Sequence, residues 1–255
     1  MGTLIKFRTL QNVGGIGSAR TVYQSANGQF IWVGRENSVA LFNKDGAPLF
    51  KYPRDFALSV IGVASKNDGS AAFLCDRQDG LRRLQIEQDT EQWIATNRRF
   101  LYQTGSADYC SLAYASKSEG GLLAIGHLSP GLAVVTEDGD RLWQMHPSQK
   151  NSTDGNSWLV AIDADGSNLY AVSAMASANY LVALEPKTGT ERARRYLDSA
   201  TRVAGVAALS NGAGVLVAFA EKGEFGYEVG KLILYNANLS ETIWERHFDD
   251  PETLI

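Results

Sequence analysis

A glycine-bearing polar turn recurs five times along this chain of 255 residues. The turns are Ser25-Ala-Asn-Gly28, Lys66-Asn-Asp-Gly69, Lys117-Ser-Glu-Gly120, Ala164-Asp-Gly166 and Leu209-Ser-Asn-Gly212, and their glycines stand 41, 51, 46 and 46 residues apart. A steady period of roughly 40–50 residues marks an array of equal units. Each is too small to bury its own apolar face and must stack on the next. No other feature of the chain narrows the fold so far.

After each turn comes a short apolar run: Phe30-Ile-Trp-Val33, Ala71-Ala-Phe-Leu-Cys75, Leu122-Leu-Ala-Ile125, Leu169-Tyr-Ala-Val172 and Val215-Leu-Val-Ala-Phe219. Runs of this length between turn residues fit strands buried on both faces and are too short for helices. A second run follows each one, as in Ser38-Val-Ala-Leu-Phe42 and Leu232-Ile-Leu-Tyr235, and then another polar turn, as in Asn43-Lys-Asp-Gly46 and Pro186-Lys-Thr-Gly189. Units two and five lack that second glycine, with Gln88-Asp-Thr90 and Asn236-Ala-Asn238 in its place. Asn and Asp tolerate the left-handed backbone such turns need, so the turn is expected to survive. A bulky residue lies shortly beyond: Phe50, Trp93, Trp143 and Trp244, with Glu191-Arg-Ala-Arg194 the exception. The unit is strand, tight turn, strand, loop, strand, tight turn, strand.

This predicts an all-β fold, a β-propeller of four-stranded antiparallel blades, as a single domain over residues 1–255. Five blades are recognisable, with a partial sixth expected from candidate terminal strands at Leu4–Leu10 and Glu252-Thr-Leu-Ile255. Those strands would either join that partial sixth or pair across the ring, because an unpaired edge invites aggregation. The segments Leu181-Val-Ala-Leu-Glu-Pro-Lys-Thr-Gly-Thr190, Asp138-Gly-Asp-Arg-Leu-Trp143 and Leu239-Ser-Glu-Thr-Ile-Trp244 resemble pyrroloquinoline-quinone-type propeller repeats. The resemblance implies that a tryptophan after the glycine turn docks on the neighbouring blade. The period also resembles that of WD-repeat propellers, although the pairs here are Trp143-Gln144 and Trp244-Glu245.

Composition and motifs remove several chemistries. A net charge of −4 offers no global attraction to nucleic acid or anionic membranes. No apolar window is long enough for a spanning helix, and the N-terminus lacks the apolar stretch of a secretory signal, so the cytoplasm is the expected location. Cys75 and Cys110 are too few for a disulfide framework and are expected to fill blade interfaces as small hydrophobes. Gly14-Gly-Ile-Gly-Ser-Ala-Arg20 has arginine where a dinucleotide loop has its third glycine, and a strand follows it. Asp163-Ala-Asp-Gly-Ser-Asn168 sits where the repeat needs a hairpin and lacks the closing carboxylate of a calcium loop. His127, His146 and His247 have no partner at zinc spacing. Arg77, Arg82, Arg83, Arg98 and Arg99, and Arg192, Arg194, Arg195 and Arg202, read as solvated outer-strand residues, since neighbours on a strand point to opposite faces.

In such a meander the glycine turns share one rim, and the remaining connections share the other. Recognition residues concentrate on irregular loops carried by a rigid scaffold. The expected function is a non-enzymatic propeller that binds a protein partner through this irregular rim, as a subunit of a larger complex. Arg35, Arg77, His127, Trp158, Asn179 and Phe225 are the candidate contacts. No cofactor, metal or catalytic residue is expected. The alternative is an enzyme or small-molecule binder at the mouth of the central channel, using His127 and nearby carboxylates or a metal.

Overall fold

The computed structural model describes residues 19–25, 27–35, 38–52, 60–76, 80–89, 92–102, 110–115, 120–127, 131–145, 157–174, 180–197, 202–209, 212–223 and 226–247. Twenty strands form five four-stranded sheets. Blade 1 is β1 (Ala19–Gln24), β2 (Phe30–Arg35), β3 (Ser38–Asn43) and β4 (Pro48–Tyr52). Blade 2 is β5 (Val60–Ser65), β6 (Ala71–Asp76), β7 (Gly80–Asp89) and β8 (Gln92–Tyr102). Blade 3 is β9 (Cys110–Ala115), β10 (Leu122–His127), β11 (Leu132–Thr136) and β12 (Arg141–Met145). Blade 4 is β13 (Ser157–Ile162), β14 (Leu169–Ala174), β15 (Tyr180–Leu184) and β16 (Glu191–Tyr196). Blade 5 is β17 (Arg202–Ala208), β18 (Gly214–Gly223), β19 (Gly226–Asn236) and β20 (Thr242–His247). Within every blade the strands pair antiparallel in chain order, so each blade is a meander and the whole is a five-bladed β-propeller.

The repeating glycines close the hairpin between the first two strands of each blade. Gly28, Gly69, Gly120, Gly166 and Gly212 have φ between 69° and 75°, a region in which a side chain would be strained. The second hairpin of blade 5 departs from expectation. Its left-handed residue is Leu239, at φ 60°, and not an Asn. Leu239 is held there because its side chain is buried in the core between blades 4 and 5, while its N–H donates to the Asn236 carbonyl.

The apolar runs behave as doubly buried strands: all six residues of β5 and of β6 are buried. Outer strands β16 and β20 are largely exposed. Facing sides of consecutive blades build four cores. Trp32, Leu41 and Phe50 of blade 1 meet Leu74 and Leu84 of blade 2. Phe73 of blade 2 lies against Tyr114 of blade 3, with ring centroids 4.9 Å apart. Leu122 and Val134 of blade 3 meet Trp158 and Val182 of blade 4, and Val172 and Leu181 meet Val217 and Ile233 of blade 5. Among the described residues no core joins blade 5 to blade 1. The far side of blade 1 carries a small separate cluster of Val33, Ala40, Phe42 and Ile31. The candidate terminal strands lie outside the described residues.

Candidate functional site: the central channel and the faces around it

The first strand of each blade lies at the sheet edge, and these five strands (β1, β5, β9, β13 and β17) line a central cavity of about 550 Å³. Its wall combines Thr21, Gln24, Ser25 and Ser111 with apolar residues such as Ile61, Val63, Leu112, Val160 and Val206. The hydroxyls are tied to the scaffold. Ser111 Oγ accepts the Val160 N–H at 3.1 Å, joining blades 3 and 4. Ser25 Oγ accepts the Phe30 N–H at 3.0 Å and donates to Asn27 Oδ1 at 2.7 Å.

No charged side chain is among the described lining residues. The ionisable groups on the wall are held protonated at neutral pH. Burial pushes the Tyr23 phenol up to about 12, against a bond to the Ser65 backbone. Burial, together with a hydrogen bond and repulsion from Glu137, pushes Tyr114 up. Burial and the neighbouring Cys75 thiol push Cys110 up. A wall of neutral hydroxyl, amide and alkyl groups suits a neutral ligand, and its described residues include no carboxylate or imidazole.

At the glycine-turn rim, Glu137 holds blades 2 and 3 together. Its carboxylate meets Lys66 Nζ at 2.9 Å, accepts the Tyr114 hydroxyl at 2.9 Å and lies 4.0 Å from Arg83. Burial alone would raise its pKa, but the hydrogen bonds from Lys66 and Tyr114 and the charges of Lys66 and Arg83 hold it below the ordinary glutamate value. Asp163, buried in blade 4, accepts from Ser167 Oγ at 2.9 Å, the Asn168 N–H at 3.0 Å and Asn168 Nδ2 at 2.9 Å. Its oxygens staple the hairpin, as the turn reading of this segment requires.

The basic groups need a correction. Arg82 and Arg83 are only 15% and 21% exposed and are ion-paired rather than solvated: Arg82 Nε donates to the fully buried Asp76 at 2.9 Å. In blade 4, Arg192 pairs with Glu185 and Arg194 with Glu191. Arg195 lies over the Tyr235 ring and donates to the Leu239 carbonyl at 3.1 Å. Arg77 lies outside the described residues, as do the side chains of Arg98, Arg99 and Arg202.

Of the candidate contacts, Arg35 ends β2 and His127 ends β10, which sets both on the rim opposite the glycine turns. Their side chains are not described. Arg77, Asn179 and Phe225 lie outside the described residues. Trp158, the second residue of β13, lies near that rim, but it is 3% exposed and packs edge-on against Tyr180 inside the core between blades 3 and 4. It is a core residue and is not presented to a partner. Sequence reasoning missed the channel wall. Each lining strand is the short stretch just before a repeat glycine, whereas the sequence reading followed the apolar runs after it.

The plug residues divide into two kinds. Trp143 does what the repeat resemblance implies: its Nε1 donates to the Pro186 carbonyl of the next blade at 2.7 Å and its ring lies on Gly189. Trp244 holds the corresponding place on β20, opposite Leu234, yet it is 43% exposed. Leu216 is the cross-strand partner of Leu234, so Leu216, Leu234 and Trp244 share the face of blade 5 that points away from blade 4.

No protein-family model matches the chain, and no curated protein matches it. Among solved structures the chain is similar to Kuenenia stuttgartiensis hydrazine synthase. The TM-score is 0.64 at 11% identity, over 98% of this chain and 70% of that one. At that identity the likeness is one of fold alone.

Proposed function

We propose that this propeller is a non-enzymatic platform for a protein partner within a larger, cytoplasmic complex. The partner engages the open face of blade 5 together with the irregular rim around Arg35, Arg77, His127, Asn179 and Phe225. The observation that carries the reading is the contrast between two tryptophans in one structural position: Trp143 is seated on the next blade, and Trp244 is 43% exposed beside Leu234. Apolar surface of this kind beside polar edges is where partners bind. The neutral channel wall supports the non-enzymatic part.

Photo-crosslinking side chains placed at positions 244 and 35 in cells, with positions 44 and 187 on the glycine-turn rim as controls, test this. The expected result is one partner captured from 244 and 35 and not from the controls. Equal yields from all four positions would overturn the reading.

The second reading, a small-molecule binder, is favoured by the channel itself, whose volume of about 550 Å³ is that of a ligand pocket. Stoichiometric calcium found by elemental analysis would favour the enzyme version of that reading over the platform.

A further inference from the structure

The chain has two cysteines, and folding brings them to one place. Cys75 on β6 and Cys110 on β9 face each other across the core between blades 2 and 3. They are 0% and 3% exposed and belong to one buried cluster. Gly62 is the reason they meet. It is the cross-strand partner of Cys75 and lacks a side chain. The Cys110 carbonyl oxygen lies 2.7 Å, and its Cβ 3.3 Å, from where a side chain at 62 would begin. Antiparallel partners hold their Cβ positions about 5 Å apart. Cys110 therefore occupies the space next to Cys75 that an alanine would fill. Both cysteines flank the position where a side chain at 62 would stand, Cys75 as its cross-strand partner and Cys110 from the facing blade. Of the two, Cys110 lines the channel and Cys75 does not.

We propose that Cys75 and Cys110 are a dithiol–disulfide couple, oxidised from the channel side by a small neutral disulfide and closing into a cross-link between blades 2 and 3. In the first step the Cys110 sulfur, having lost its proton, attacks one sulfur of the reagent. The reagent's S–S bond breaks, and one thiolate leaves and takes up a proton. In the second step the Cys75 sulfur attacks Cys110, expels the second thiolate and closes the protein disulfide. Two protein thiols are oxidised by two electrons, and one reagent disulfide is reduced to two thiols. Burial keeps the Cys110 thiolate scarce, so the first step is slow, and the neutral wall admits an uncharged reagent. The inference stands apart from the partner-platform reading and does not need it.

The test treats the native protein with excess 2-hydroxyethyl disulfide, quenches with acid, denatures, and alkylates with N-ethylmaleimide before intact-mass and peptide analysis. The expected product is a monomer lighter by two hydrogens, unalkylated, with the Cys75 and Cys110 peptides joined, and reversible by dithiothreitol. Cys75→Ser is expected to stop at a mixed disulfide on Cys110, and Cys110→Ser to leave Cys75 alkylatable. Two alkylated cysteines in the treated wild type, a stalled mixed disulfide, or a disulfide between chains would each overturn the proposal. The wild-type peptide map decides it even where a variant folds poorly.

Discussion

Gly62→Ala isolates how tightly blades 2 and 3 are drawn together. An added methyl would stand 2.7 Å from the Cys110 carbonyl oxygen and 3.3 Å from its carbonyl carbon and Cβ. That is roughly 0.7 Å short of ordinary contact. The obstructing atom is backbone. It belongs to β9, whose Cys110 is paired with His127 of β10, so making room means moving a strand and not turning a side chain. Overpacking of this kind costs about 1–3 kcal/mol. The stiffer unfolded chain returns about 0.4–1 kcal/mol. The net loss lies between about 0 and 2.6 kcal/mol, centred near 1 kcal/mol or roughly 2–4 °C in Tm for a domain of this size. Gly205→Ala is the matched control: its methyl would meet only Ala218 Cβ, at 3.8 Å, and no positive φ stands in the way. Only the unfolded-state gain remains there, an increase of about 1–3 °C. Parallel thermal melts by circular dichroism at neutral pH read both shifts. A Gly62→Ala protein melting at or above the wild type, or two variants shifting in the same direction, would refute the claim that the blade contact is rigid at this point.

Three further outcomes follow from the packing. Trp143→Ala removes a ring seated on Gly189 and its bond to the Pro186 carbonyl, and costs about 2 kcal/mol. Trp244→Ala, on the 43% exposed residue, costs less than half of that, as urea titration of the two variants will show. Glu137→Gln lowers stability by about 1–2 kcal/mol at neutral pH. The Glu137 pKa is depressed on folding, so its contribution is complete above the ordinary glutamate value near 4.5 and disappears as pH falls through the folded value. Denaturation curves of the wild type and Glu137→Gln therefore converge as the pH falls below the ordinary glutamate value. Asp163→Ala strands the Ser167 and Asn168 donors and costs about 2 kcal/mol in the same assay, whether calcium or a chelator is present.

The blade plan was legible because it is written in local chemistry. A turn that demands positive φ, followed by a run with no polar face, admits few alternatives, and the five turn glycines and the fully buried β6 answer to it directly. What local pattern cannot express is partnership between blades. Arg82 and Arg83 read as exposed because nothing near them in sequence neutralises both. Their partners are a buried Asp76 on the adjacent strand and a glutamate from the next blade. Trp158 read as a rim residue because it follows a polar connection. Its environment is made by Tyr180 and by blade 3, where the bare backbone of Gly126 lets β13 come close. Leu239 carries a backbone conformation that its residue type disfavours. It is held there by contacts spread over two blades, which no single window of sequence contains.

The same limit bears on Trp244. A repeat writes every blade alike, so the signature that makes Trp143 a plug also marks Trp244, and the sequence cannot say whether a receiving surface stands in front of either. In the structure the receiving surface for Trp143 is specific. It is a turn with an outward carbonyl at Pro186 and a glycine at 189 that leaves room for the indole. A partner that completes blade 5 in the same manner would offer a carbonyl to the Trp244 indole and a small residue beneath its ring. Its recognition would then depend on one hydrogen-bonded aromatic in a largely apolar setting, the kind of residue that dominates protein interfaces. Trp244→Phe, which keeps the ring and removes the donor, should therefore weaken capture of the partner by several-fold while leaving the melting temperature unchanged. Equal capture by the phenylalanine variant would mean that blade 5 is not received as blade 3 is, and that the partner binds at the irregular rim alone.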